Sequence, residues 1–214
     1  MNEKANFETP VRQRRKEARP AEIMAAALDL FVERGFAATK LDDVAARAGV
    51  SKGTLYLYFS SKEELFKAVI QQGILPVLEQ GEEMLAQHGG DIASLLRDLI
   101  NRWWELVGNT KLAGIPKLIV SEAGNFPDVA RYFHDSVTRR IDDLLGKVLR
   151  AGIDKGEFRP VDIESAIDAI TAPILMRAIW EYSIAPYCSG GQKNSEIYLR
   201  TNIDLLLNGL LVKE

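Results

Sequence analysis

The 214-residue sequence predicts an all-α protein, with a small N-terminal three-helix head joined by a long helix to a larger helical body. Three observations predict it. Apolar residues recur at helical spacing through most of the chain, no segment sustains strand alternation, and Gly, Pro and Asn punctuate the periodic stretches. No internal repeat is visible. With 47% hydrophobic and 27% charged residues, the chain is globular and long enough to bury a core without staples.

The elements follow in order. Residues 1–18 read as a flexible basic arm, in which Arg12, Arg14, Arg15 and Lys16, with the adjoining Arg19, face one acid, Glu17. Pro20 suits a first helical position, and Ile23, Ala27, Leu30 and Phe31 then recur on one face until Gly35 stops the helix. Two short helices follow at about 41–48 and 52–59, separated by Gly49, Val50 and Ser51. Thr39 can cap the first and Ser51 the second. A long helix runs from Ser61 to about Gln87, kinked at Pro76, with a capping box offered by Ser60 or Ser61 and the acids Glu63 and Glu64. The body continues with helices near 91–108, 111–123, 127–134, 135–155, 162–184 and 194–212. On this reading the head spans 19–65 and the body 66–214.

Charge is divided unevenly. The whole chain carries −3, but residues 1–75 hold 12 Lys/Arg against 10 Asp/Glu, while the remainder holds 15 against 20. A polyanion-facing N-terminal part and an acidic body fit that asymmetry.

Composition also excludes chemistry. A lone Cys188 and only His88 and His134 leave no multi-cysteine or histidine metal framework, so neither a metal nor a cofactor is expected. Enzyme activity is not expected either. His134, Asp135 and Ser136 have catalytic residue types, but consecutive helical residues do not face one another. No apolar run reaches about 18 residues and no apolar signal region opens the chain, so a cytoplasmic protein without membrane contact is the simplest fit.

The segment 41–59 carries the most information. Val44, Ala45 and Ala48 share a face with small residues where a second helix crosses, Gly49 supplies a tight turn, and Leu55 and Phe59 return to the same core. This is the grammar of a helix-turn-helix. With Leu55 and Phe59 inside, Lys52, Gly53 and Tyr56 project outward near the start of the second helix, with Thr54 beside them. Gly53 lets backbone approach another surface, and the helix N-terminus suits phosphate. Lys62 sits in the first turn of the long helix, against the dipole, which suits an arriving phosphate.

Residues 19–66 resemble the DNA-binding head of the TetR-type bacterial transcriptional regulators. The resemblance rests on Ile23 through Phe31, Gly35 with Phe36, Thr39, Val44 with Ala45, Ala48 through Ser51, Gly53 through Tyr56, Tyr58 with Phe59, and Lys62 through Leu65. It departs at Tyr58, where many relatives carry His. The resemblance implies a homodimer whose two heads bind a pseudo-palindromic operator. It implies phosphate contacts from Thr39, Tyr56 and Lys62, base-edge contacts near Lys52, Gly53 and Thr54, and either role for Tyr58. Ser51 joins this DNA-binding set as the cap of the recognition helix.

Beyond residue 66 the resemblance is one of layout. It implies a small-molecule effector site in the middle helices and dimerisation through about 162–184 and 194–212. The ligand-binding candidates are Trp103, Trp104, Phe133, Met176, Arg177 and Trp180, aromatic and sulfur-bearing groups with one convergent cation. The same residues suit an ordinary helical core. Arg177 and Glu181, four apart, can pair with each other or meet a polar ligand end. The function implied is a ligand-responsive regulator, a repressor released from its operator by effector. The alternative is an effector-independent or activating DNA-binding protein.

Overall fold

The computed structural model describes residues 10–188 and 194–212, with side chains described from residue 19 onward. It divides into two compact units, Met1–Val69 and Ile70–Glu214.

In the first unit, α1 (Pro10–Arg34), α2 (Leu41–Arg47) and α3 (Lys52–Tyr56) precede α4 (Lys62–Gly73), whose last turn belongs to the second unit. The helix expected from Pro20 begins ten residues earlier, so the stretch read as a flexible arm is helical in backbone from residue 10. Arg, Lys, Gln, Glu and Ala between 12 and 19 are strong helix formers, and Pro20 becomes an interior proline. Residues 1–9 of that arm, and the side chains of Arg12 through Lys16, lie outside the described residues.

The head core is an aromatic trio. Phe31, Phe36 and Phe66 lie with ring centroids 5.2–5.4 Å apart, and the 80° and 67° angles at Phe66 give edge-to-face packing. Ile23, Leu30, Val44, Leu55 and Leu65 complete it, all with no more than 1% of their surface exposed. Gly35 ends α1 at φ 87° and Gly49 ends α2 at φ 66°, as the left-handed caps require.

Salt bridges on the outside hold α2 to α1. Arg47 meets both Glu33 oxygens, at 3.2 and 3.0 Å, and Arg34 reaches Asp43 at 3.3 Å.

The second unit contains α5 (Leu75–Gln87), α6 (Ile92–Trp103), α7 (Gly114–Glu122), α8 (Pro127–Phe133), α9 (Arg139–Asp154), α10 (Ile163–Ser183) and α11 (Ser195–Leu210). Pro76 breaks the long helix rather than kinking it: α4 ends at Gly73, Ile74 intervenes, and Pro76 lies in the first turn of α5. Proline lacks an N–H and tolerates that first turn, where no intrahelical donor is needed.

Two wide turns also change the expected plan. Trp104–Gly108 extends α6 as a π-type turn, closed by the Asn109 N–H donating to the Trp104 carbonyl at 2.8 Å. His134–Thr138 is a second such turn, and it joins α8 to α9 where separate helices were expected. Pairing five residues apart widens the helix without ending it.

The body core runs from Leu95, Leu96 and Ile100 of α6, through Val148 and Leu149 of α9, to Ile170 of α10 and Leu207 of α11. After α9, Gly156 turns the chain at φ 73°, and a one-residue bridge pairs Phe158 with Leu211. Glu157 extends from this corner to accept the Ile92 N–H at 2.6 Å, satisfying a free donor at the start of α6.

Candidate nucleic-acid interface and ligand cavity

The head places its helix-turn-helix by three local devices. The Val50 N–H donates to the Ala45 carbonyl at 2.9 Å, closing the turn after α2. Ser51 caps α3 as expected, its Oγ accepting the Thr54 N–H at 3.1 Å. Ser61 caps α4 through the Glu64 N–H, also at 3.1 Å. Glu64 returns to the Ser60 hydroxyl and, at 2.6 Å, the Ser60 N–H, which hold its carboxyl below the usual range. The expected box therefore forms with its return bond displaced by one residue.

Thr39 does not cap α2. Lys40 occupies that position without a side-chain bond, while the Thr39 hydroxyl lies toward the Gly35 carbonyl at 2.8 Å and the Leu30 carbonyl at 3.2 Å. With 1% of its surface exposed, Thr39 braces the end of α1.

The outward face of α3 holds Lys52, Gly53 and Tyr56, as expected, together with Leu57 just past its end. Lys52 reaches Asp42 of α2 at 2.9 Å, and this hydrogen bond raises its pKa. The pair is exposed, so the ammonium is easily redirected. A Cβ on Gly53 would meet only Ser51 Oγ, at 3.9 Å, so nothing inside the head demands glycine there. Tyr56 is 46% exposed and Leu57 83%. Sequence reasoning passed over Leu57, whose signal is an apolar residue four positions from Gly53 on the outward face. Tyr58 and Thr54 are half-buried, and Thr54 Oγ1 lies 2.8 Å from Ser51 Oγ.

Lys62 is not simply held ready against the helix dipole. Its Nζ donates to the Phe36 carbonyl at 2.7 Å and the Ala37 carbonyl at 3.1 Å, and lies 4.6 Å from the Phe36 ring centroid.

The body holds a partly open cavity of about 400 Å³ among α5, α6, α7, α8, α9 and α10. Trp103 and Phe133 line it, whereas Trp104, Met176, Arg177 and Trp180 do not. Trp104 turns into the core and packs against Gly108, where a Cβ would meet its ring at 2.5 Å. Neighbours on a helix point about 100° apart, so one indole faces the cavity and the next faces away. Met176 is 61% exposed. Arg177 is buried, pairs with Glu181, and donates to Ser195 Oγ at 2.9 Å, tying α10 to the start of α11. Trp180 is half-buried on α10.

Among the described residues no group of three or more His, Cys, Asp and Glu could hold a metal ion, and no helix is long and apolar enough to cross a membrane.

A helix-turn-helix head with an outward recognition face, followed by a helical body around an apolar cavity, defines a DNA-binding regulator with a ligand-receiving domain. Comparison with known proteins agrees. Residues 23–69 match the family model for bacterial regulatory proteins of the tetR family, and residues 86–185 that for the tetracyclin repressor-like C-terminal domain. The uncharacterized HTH-type transcriptional regulator YfiR of Bacillus subtilis is 30% identical over 200 residues, covering 89% of this chain and 95% of its own. The protein belongs to the TetR family of bacterial transcriptional regulators.

Solved structures share the fold. The ketosteroid transcriptional regulator KstR2 of Mycobacterium tuberculosis superposes with a TM-score of 0.72 at 23% identity, over 91% of this chain and 96% of that one. FadR of Bacillus subtilis, in complex with stearoyl-CoA, gives 0.69 at 20% identity, over 88% and 98%. Membership makes the chain a DNA-binding, dimerising, ligand-responsive regulator. Such regulators are in general not catalysts.

Proposed function

We propose that this regulator is a repressor that holds a pseudo-palindromic operator as a homodimer and leaves it when a small effector enters the body cavity. The observation that carries this reading is the cavity of about 400 Å³ in the body, lined mostly by apolar side chains. Natural cores seldom leave such voids empty, and the size suits a small molecule. The fold neighbour in complex with stearoyl-CoA supports a ligand in a body of this kind.

On the DNA side, Ser51, Lys52, Gly53, Thr54 and Tyr56 meet the major groove or its flanking phosphates, and Leu57 adds an apolar contact. Lys52 exchanges Asp42 for phosphate. Tyr58 and Lys62 flank this surface, and Thr39 supports it from beneath. The apolar groups left exposed on α10 and α11, Leu175, Met176, Ile197 and Leu205, supply the dimer interface. Two heads then meet half-sites about 34–36 Å apart, or a multiple of that distance.

The effector acts on α5. Ile74, the residue at the break between α4 and α5, lines the cavity, so a ligand there touches the joint that orients α4. A coupling of about 1–3 kcal/mol suffices for a usable switch.

Selection of bound duplexes from a random DNA pool, at stated salt, tests this reading. An inverted repeat is expected. Loss of transcription from a promoter carrying that repeat identifies a repressor, whereas a gain overturns that sign. Recovery of no motif by a folded dimer overturns sequence-specific binding.

A further inference from the structure

We infer that the body cavity takes a molecule recognised by its hydrocarbon body, with any charged head left at the opening; this rests on the ligand-responsive reading above. Polarity is divided unevenly over the wall. Every lining residue that is buried is apolar, among them Leu99, Ile100, Val107, Leu145, Ile170 and Ile174. The charged lining residues, Arg102, Asp142 and Asp168, are all exposed to solvent. The chamber is therefore hydrocarbon within and charged only where it meets water.

The inner wall has nothing to hold an ion. Its two hydroxyls, Thr138 and Thr171, are half-buried, and Thr171 donates its proton to the Ile167 carbonyl at 2.9 Å. A charged head drawn inside would lose its hydration and meet no charge among the buried lining residues, so it stops at the opening. Both signs of charge are present there. Arg102 already donates to Gln80 Oε1 at 3.0 and 3.3 Å and to Glu105 at 3.3 Å, and salt screens exposed charges. The opening therefore selects neither a cationic nor an anionic head strongly.

Size sets the scale of the hydrocarbon. An apolar cavity of about 150 Å³ accepts benzene. On that scale a cavity of about 400 Å³ accepts a body of about sixteen carbon atoms. Burial stabilises a chain in proportion to its length, so affinity should rise about tenfold for each two methylenes added.

Nine probes test this at fixed ionic strength and below their micelle concentrations: trimethylammonium, carboxylate and alcohol heads, each on octyl, decyl and dodecyl chains. Binding is read by calorimetry and by indole fluorescence. At each length the three heads should bind within about fivefold of one another, while each series should tighten about tenfold per step. Arg102→Gln, Asp142→Asn and Asp168→Asn should each change dodecyl binding less than about threefold, since they act only at the opening. Ile170→Trp, which fills the chamber, should weaken all three dodecyl probes at least about tenfold. Circular dichroism establishes that this variant is folded, and the length series and the three exposed variants decide the matter if it is not. A preference of more than about tenfold for one head at every length overturns the proposal. So do affinity indifferent to chain length, length dependence that survives in folded Ile170→Trp, and failure of all nine probes to bind. Chain-length-dependent binding that leaves the operator complex intact supports the site and overturns the regulatory reading instead.

Discussion

The Lys62 ammonium donates to the Phe36 carbonyl at 2.7 Å, joining the first turn of α4 to the chain just beyond α1, and it lies over the ring of the same residue. A cation that opposes the dipole of its own helix is thereby held by a carbonyl and an aromatic face. Lys62 therefore stabilises the head whether or not DNA is present.

Replacing Lys62 with Met should show both roles. Loss of a charge-assisted bond at a half-buried site costs the head about 1–2 kcal/mol, visible as earlier unfolding of the first unit. Operator affinity should also fall, and the slope of log affinity against log salt should flatten by about one unit, the mark of a lost phosphate contact. Normal stability with weakened binding would show that Lys62 serves DNA alone.

Leu57 is predicted to meet a thymine methyl group in the operator. Its 83% exposure, one turn from Gly53, leaves an apolar branched side chain on the outward face, and thymine's 5-methyl is the apolar group the major groove offers. Replacing thymine by uracil at single operator positions should weaken wild-type binding about 3- to 10-fold at one symmetric pair, by about 1 kcal/mol. Leu57→Ala should bind both duplexes alike. Indifference of the wild type to every uracil would remove this contact.

Trp103 reports the cavity. Titration with a ligand that occupies it should change indole emission saturably, and Trp103→Phe should abolish most of that change. Trp104→Phe should preserve the response, since Trp104 packs into the core against Gly108. A response that follows Trp104 would relocate the site.

Glu82 of α5 and Arg140 of α9 form a two-point salt bridge at 2.8 and 3.0 Å between two walls of the cavity. The bond to Arg140 holds the Glu82 carboxyl below its ordinary value of 4.5. Its stabilisation is therefore complete above that value and is lost as pH falls through the depressed folded pKa. Glu82→Gln should lower stability at pH 7 by no more than about 1 kcal/mol, because the pair is partly exposed. The difference between variant and wild type should vanish in acid. A difference that persists at pH 2 would assign the effect to packing.

The Ser51 cap, the left-handed Gly35 and Gly49, and the inward Leu55 and Phe59 are legible because each depends on residues a few positions apart. The same locality explains the misreadings. Thr39 has the residue type of a cap, but its hydroxyl lies toward carbonyls four and nine residues back, and the backbone chose Lys40. From sequence Pro76 reads as a kink within one helix, but the helix breaks there instead, where proline can sit in a first helical turn. Trp103 and Trp104 are indistinguishable as neighbouring indoles until the wide turn after α6 and the gap at Gly108 seat one of them in the core.

The sequence by itself determined the helices, the head and the face that its recognition helix turns outward, since helical periodicity and capping are short-range and act through the backbone. Tertiary structure alone decided which side chains surround the cavity. It also paired Arg177 with Ser195 and occupied Lys62 with the Phe36 carbonyl. Those outcomes depend on distances between groups far apart in the chain, and packing sets such distances only once all the helices are in place.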